Sequence, residues 1–313
     1  MKSPGVSVVI PCFNAHGTLE AAVQSALNQT YSAIEVILVD DGSTDNTAEV
    51  IRSLCLTDTR VRAIYFRENL GPSVARNAAI RAATTEWISL LDADDLYEPH
   101  RIEALLNLAL STGAELVADN IIVEDEHGRR KLGFSFVGTR PTSFNLNSFL
   151  ALPAKENGDL DLGYLKPLIQ RRFLNEHKLE FAAKYRVGED FLLFAECLQK
   201  GAHLVVVPQA GYIYRRRADS ITQSGADNVT ILASIAQEIM LRWQHKLSDE
   251  ALLSLRARQQ LYDDDAKYQW FRTAVTSGGF FRAGREIAYS PSIIREVMRR
   301  VRRKAVTLFP VVD

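Results

Sequence analysis

The chain has 313 residues, room for one large α/β domain of about 200–250 residues plus an appendage. A formal net charge of −1 removes any global electrostatic case for a nucleic-acid partner. The three cysteines, Cys12, Cys55 and Cys197, are odd in number and far apart, which argues against a disulfide framework or a CxxC zinc site and fits a reducing cytoplasm.

Met1-Lys2-Ser3-Pro4-Gly5 leads directly into Val6-Ser7-Val8-Val9-Ile10, a run of buried-strand type and too short for the apolar core of a secretory signal. It ends in Pro11-Cys12-Phe13-Asn14. A second run, Glu35-Val36-Ile37-Leu38-Val39, ends in Asp40-Asp41-Gly42-Ser43. Ser43, Thr44 and Asp45 are candidate N-caps of a helix carrying Ala48, Val50, Ile51 and Leu54. Residues 61–66 form a third strand leading into Asn69-Leu70-Gly71-Pro72-Ser73-Val74-Ala75-Arg76-Asn77, where Pro72 suits the first turn of a helix. A fourth run, Trp87-Ile88-Ser89-Leu90-Leu91, stops abruptly at Asp92-Ala93-Asp94-Asp95. The next helix has Pro99 near its start and Ile102, Leu105, Leu106 and Ala109 on one face. Residues 114–118 read as a strand. Residues 121–160 are less regular, with a hairpin turning at His127-Gly128 and a loop at Asn157-Gly158-Asp159. Residues 171–177 and 189–199 read as helices, and 204–207 and 212–214 as strands. The α/β domain is expected to end near residue 220, with helical patterning dominant from Asn228 onward.

Strands alternating with helices imply a Rossmann-like, mostly parallel sheet with helices on both faces. Ligands of such sheets bind outside the carboxyl ends of the strands, and these polar clusters all follow strands. Crowded acids at a strand end repel one another and resist burial, so Asp92, Asp94 and Asp95 require a compensating cation. A hard divalent ion with oxygen ligands, Mg²⁺ or Mn²⁺, suits them. A lone acidic triplet would read as a solvated turn, but three polar strand ends on one edge outweigh that reading.

PCFN, VDDGSTDNT, NLGPSVARN and LLDADD, in this order and with Gly188-Glu189-Asp190 further on, resemble the family 2 glycosyltransferases with a GT-A fold. The resemblance covers roughly the first two-thirds of the chain. It implies a GT-A catalytic domain over residues 1–220, with a nucleotide-sugar-binding half (1–120) and an acceptor-binding half (121–220), followed by a helical region over 221–313. It further implies transfer of a sugar from a UDP-sugar, with inversion, to a saccharide or lipid-linked saccharide acceptor in bacterial exopolysaccharide or cell-surface glycan synthesis. Processive synthases with the same core carry membrane helices. No apolar stretch in this sequence is long enough to span a bilayer, so it resembles the enzymes that add single sugars.

Within that resemblance Asp94 is the first choice of metal ligand, and Asp92 contacts the ribose or the metal through water. Asp95 is either an alternative ligand or the cap of the following helix. The metal acts as a Lewis acid on the phosphate oxygens. Pro11, Phe13 and Asn14 line the base pocket, with Phe13 packing either on uracil or into the core. Asp41 accepts the N3–H of uracil, and Gly71 permits close backbone approach to the ligand. Arg76 either clamps phosphate or forms a salt bridge with Asp92 or Asp94. Asp190, at a helix start where the partial charge favours a carboxylate, is the general base, and Glu189 orients the acceptor or the base. Arg215 and Arg217, which alternate to one side of a strand, are weaker candidates for contacting the diphosphate. Asp263-Asp264-Asp265 reads as a solvated helix face. His16 lines the pocket, and the remaining histidines are scattered without metal-ligand spacing.

From Ser292 to Leu308 an apolar stripe of Ile294, Val297, Met298, Val301, Ala305 and Leu308 opposes Arg295, Arg299, Arg302, Arg303 and Lys304. This basic amphipathic helix either lies on an anionic membrane surface or packs on the catalytic domain. The expected location is the cytoplasm, peripheral on the inner-membrane face in the first case. Two rival functions remain. A sugar-1-phosphate nucleotidyltransferase needs a glycine-rich basic loop, which residues 11–17 lack. A catalytically inactive nucleotide-sugar-binding protein is opposed by the presence of Asp41, Asp92, Asp94 and Asp190.

Overall fold

The aliphatic and β-branched runs of the first half form four parallel strands, of which the three central ones are buried on both faces while the third in sequence, at the sheet edge, is largely open to solvent. They are β1 (Val6–Cys12), β2 (Ile34–Asp40), β3 (Val61–Tyr65) and β4 (Trp87–Leu90), in spatial order β3-β2-β1-β4. Helices α1 (Leu19–Leu27), α2 (Thr47–Thr57) and α3 (Pro72–Ala82) make the crossovers, and α4 (Arg101–Thr112) follows β4. Strand order reverses about β1, so the topological switch point lies at the carboxyl ends of β1 and β4. A computed structural model describes residues 4–135, 139–153, 160–216 and 226–276.

The second half extends the same sheet with β9 (Leu168–Gln170), β6 (Leu116–Glu124) and β10 (Leu204–Arg215), and ends at β5 (Leu96–Tyr97). β6 and β10 are parallel, whereas β9 runs antiparallel to both β4 and β6. Two short strands, β7 (Arg130–Leu132) and β8 (Thr142–Phe144), pair antiparallel with β6 and β10. Around them lie α5 (Leu146–Ala151), a 3-10 turn (Leu162–Tyr164), α6 (Arg171–His177) and α7 (Glu189–Gln199). The β6–β7 hairpin turns at residues 125–129, where the sequence places it.

Several local expectations change. Residues 204–207 and 212–214 belong to one strand, with register shifts on either side of Ala210; Pro208, which has no N–H to donate, lies within the first. The strand expected over 114–118 continues to Glu124. β5 intervenes between the acidic run and α4, and His100 precedes that helix, so Asp95 is not its cap. Helix α2 starts at Thr47; of its three candidate caps, Asp45 still accepts the Thr47 N–H at 2.9 Å.

The chain divides into two compact units, residues 1–218 and 219–313. In the second, α8 (Ala226–Trp243) and α9 (Asp249–Thr276) share a small core of Val229, Ala233 and Tyr262. Asp264 is only 8% exposed and accepts a hydrogen bond from Gln260 Nε2 at 2.7 Å, so the Asp263–Asp265 triplet is not a solvated face. The amphipathic segment 292–308, Asn157-Gly158-Asp159 and Arg217 lie outside the described residues. Among the described residues no helix is long and apolar enough to cross a membrane.

Candidate active site

The carboxyl ends of β1 and β2 are tied together by their own polar turns. Asn14, with φ of 50°, donates its N–H to Ser43 Oγ at 3.0 Å, and its Oδ1 accepts the Thr44 N–H at 2.9 Å. Pro11 stands in β1 opposite Val39, and Phe13 is 42% exposed, so Phe13 is a surface side chain and not part of the core. Asp41 is buried, and its two oxygens accept the Leu70 and Gly71 N–H groups, each at 2.8 Å. It thereby fastens the loop entering α3 to the end of β2. Each oxygen keeps a second lone pair. Gly71 sits at φ 94°, a region open to glycine, immediately before Pro72 starts α3.

Asp92, Arg76, Glu189 and Asp190 meet in one cluster, buried except for the half-buried Asp92, and a residue the sequence did not single out, the buried Lys166, joins them. Arg76 Nη2 lies 2.8 Å from Asp92 Oδ1, and Nη1 lies 2.5 Å from Glu189 Oε1 and 3.7 Å from Asp190 Oδ1. Lys166 Nζ lies 2.8 Å from Asp190 Oδ2 and 3.0 Å from Asp92 Oδ2. The salt-bridge alternative for Arg76 is therefore realised, to Asp92. Gly188, at φ 75°, turns the chain into α7 so that both its first acids face the cluster. Burial would lower the pKa of Lys166, but the carboxylates of Asp190 and then Asp92 outweigh it and raise it, so the ammonium persists. Burial would raise that of Asp92, but Lys166 and Arg76 hold it well below the usual carboxylate range. Burial, and then the charge of Asp190, push Glu189 up. Asp190 Oδ1 is buried without a hydrogen-bond partner.

Residues 7–164 match the model of the Glycosyl transferase family 2, half of the chain. The chain belongs to this family. Among its curated relatives is the succinoglycan biosynthesis protein ExoO of Rhizobium meliloti, 37% identical over 223 residues, which are 71% of this chain and 64% of ExoO. Another is ExoU of the same organism, a succinoglycan biosynthesis protein 33% identical over 288 residues, 89% of this chain and 81% of ExoU. The chain thus spans just under two-thirds of ExoO and most of ExoU. S. aureus TarS 1-349, solved in complex with UDP-GlcNAc, superposes with a TM-score of 0.67 at 20% identity, over 89% of this chain and 81% of that one. At that identity the likeness concerns the GT-A fold.

In this family 2 chain the acidic run has three different environments. Asp95 is 1% exposed, its Oδ2 accepting the Tyr212 hydroxyl at 2.7 Å and its Oδ1 the Arg215 N–H at 2.9 Å. Burial, then the charges of Asp92 and Asp94, push its pKa well above the usual range. Asp92 has a cation on each oxygen. Asp94 is half-buried, and its backbone carbonyl accepts from Arg215 Nε at 2.6 Å. Arg215 thus reaches the acidic run, and its Nη2 is buried without a partner. Among the described residues no group of three His, Cys, Asp or Glu side chains is placed to hold a metal. An ion at such a site would have to take most of its ligands from phosphate oxygens and water, and not from an all-protein cage. His16 is exposed, its Nδ1 2.7 Å from Asp45 Oδ2.

Lys166 escapes sequence reasoning because β9 is only three residues long and has no readable period. The Lys-Pro dipeptide, which predicts an extended residue, was the one local signal.

Proposed function

We propose that this protein is an inverting, metal-dependent glycosyltransferase that moves a sugar from a UDP-sugar to a saccharide or lipid-linked saccharide, in bacterial exopolysaccharide or cell-surface glycan synthesis. Its relatives ExoO and ExoU are named for succinoglycan biosynthesis, and its structural neighbour TarS has been solved with UDP and with UDP-GlcNAc. One observation carries the mechanism. Asp190 is a buried carboxylate with one oxygen held by a cation and the other without a hydrogen-bond partner, at the start of a helix beside the switch point. That is an acceptor awaiting a donor, as a general base requires.

In this reading residues 1–120 hold the nucleotide sugar and residues 121–220 present the acceptor. Pro11, Phe13 and Asn14 form the wall of the uracil pocket. Asp41 accepts the uracil N3–H with a lone pair that the Leu70–Gly71 loop leaves open. Asp92, already held by two cations, contacts the ribose or the metal's water, and Asp94 is the direct ligand of Mg²⁺ or Mn²⁺. Bound there, the ion supplies Lewis-acid neutralisation of the departing diphosphate. Arg215 adds positive charge at the same edge. The basic segment 292–308 sets the enzyme against the cytoplasmic membrane surface if the acceptor is lipid-linked.

A panel of UDP-sugars with Mn²⁺ or Mg²⁺, scored by UDP release, identifies the donor. Asp94→Asn should lose metal-dependent UDP binding; binding equal to the unaltered enzyme removes Asp94 from the metal site. Asp190→Asn should keep donor affinity and lower kcat by at least about 10²-fold. NMR of the product should show the anomer opposite to the donor's, and a retained configuration would rule out a single displacement.

A further inference from the structure

Lys166 enters the site from the direction opposite to the strand-end residues. β1, β2 and β4 deliver side chains beyond their carboxyl ends, whereas β9 is antiparallel to β4 and delivers them from its amino end. Ser89 faces Leu168 in the register, so Lys166, two residues earlier, lies level with the start of the acidic run. Pro167 keeps Lys166 extended. The Lys166 carbonyl accepts Arg101 Nη2 at 2.6 Å, and Arg101 is held in turn by Asp119 at 2.8 Å. The backbone is anchored, and the buried ammonium has two carboxylates within 3.0 Å.

We infer that Lys166 is a positioning residue for the base: its ammonium claims Asp190 Oδ2, leaves Oδ1 as the oxygen that takes the acceptor's proton, and ties both to Asp92 on the donor side. The inference rests on the reading of Asp190 as general base. In the step it serves, the acceptor O–H gives its proton to Asp190 Oδ1 and its oxygen forms a bond to C1. The C1–O bond to the diphosphate breaks, and UDP leaves with the electron pair. Without Lys166 the Asp190 carboxylate keeps only the 3.7 Å ion-pair contact of Arg76 Nη1 with Oδ1 and no hydrogen bond to fix its side-chain torsions, and misplacement of a reacting group by about 1 Å costs on the order of 10²-fold in rate. Lysine suits the task because a compact ammonium with three donors bridges two carboxylates at once.

The test compares Lys166→Met, Lys166→Arg, Asp190→Asn and the Lys166→Met/Asp190→Asn double variant, each checked for a native unfolding transition. Lys166→Met should lower kcat by about 10²-fold while the KM for the UDP-sugar stays within about threefold. Lys166→Arg, which keeps the charge, should recover at least about tenfold of that loss. In the Asp190→Asn background Lys166→Met should cost less than about threefold more, because the residue it positions is already gone. If Lys166→Met fails to fold, the same cycle is read with Lys166→Arg, whose own smaller loss should vanish in Asp190→Asn. A folded Lys166→Met with unchanged kcat, a loss that multiplies in full with that of Asp190→Asn, or a defect confined to donor KM each overturns the inference. An active Asp190→Asn enzyme overturns the base assignment itself, whatever Lys166 does.

Discussion

Arg101 on α4 and Arg76 on α3 are both buried arginines that face carboxylates, yet their surroundings differ in kind. Arg101 Nε lies 3.1 and 3.0 Å from the two oxygens of Asp119, and Nη2 lies 2.8 Å from Oδ1. Asp119 Oδ2 also accepts the Gly211 N–H at 2.8 Å. The guanidinium carbon is 4.5 Å from the Tyr97 ring centroid and 5.2 Å from that of Tyr212, within cation–π range of both. One cation meets one anion there, and both carboxylate oxygens are used, although Arg101 Nη1 is buried without a hydrogen-bond partner. In the Arg76 cluster two cations meet three acids, Glu189 is pushed toward its protonated form, and Asp190 Oδ1 has no hydrogen bond. A pair whose carboxylate has both oxygens taken is what a structural role requires. An open acceptor among more acids than cations is what the proposed chemistry requires, and perturbed acids of that kind gather at functional sites. The two clusters meet at Lys166, whose carbonyl belongs to the first and whose ammonium belongs to the second.

That contrast can be broken most directly at Arg101. Arg101→Met leaves Asp119 buried without its cation and should cost about 3–5 kcal/mol of stability, measured by urea unfolding. A variant of native stability would place Arg101 among the functional groups. A smaller effect is expected at Asp41, whose two oxygens each accept one N–H from a loop at the ligand edge and keep a lone pair open. Asp41→Asn should weaken UDP by about 1–3 kcal/mol and abolish its preference over CDP and GDP in calorimetric titrations. Equal affinity of the unaltered enzyme for the three diphosphates would remove Asp41 from the uracil pocket. The smallest change is expected in the stability of Asp190→Asn. Because it removes surplus charge from the Arg76 cluster, its unfolding free energy should fall by less than about 1 kcal/mol or rise. A loss as large as that of Arg101→Met would mean that both clusters are structural.

The parts legible in the sequence were those with enough repetition to show a period. β1, β2 and β4 are apolar runs with polar stops, and the helices α4 and α7 show their buried faces in the residue spacing. β5 and β9 were not legible, because two or three residues carry no period and both exist only through their neighbours in the sheet. The inward turn of Asp264 was equally hidden, since a run of three acids looks solvated until α8 is seen to cover one side of α9.

The sequence by itself determined that Asp41, Asp92 and Asp94 lie on one edge, because a parallel sheet with right-handed crossovers sends the ends of its strands to the carboxyl side; Asp190, which opens α7 after α6 and a loop, reaches that edge only through the tertiary fold. Tertiary structure alone decided what each acid does there. Whether a carboxylate is paired with two cations, sealed by a tyrosine hydroxyl and a backbone amide, or left with an open oxygen depends on groups dozens of residues away, such as Lys166, Tyr212 and Arg215. These distances are set by packing, and no local pattern of residue types encodes them.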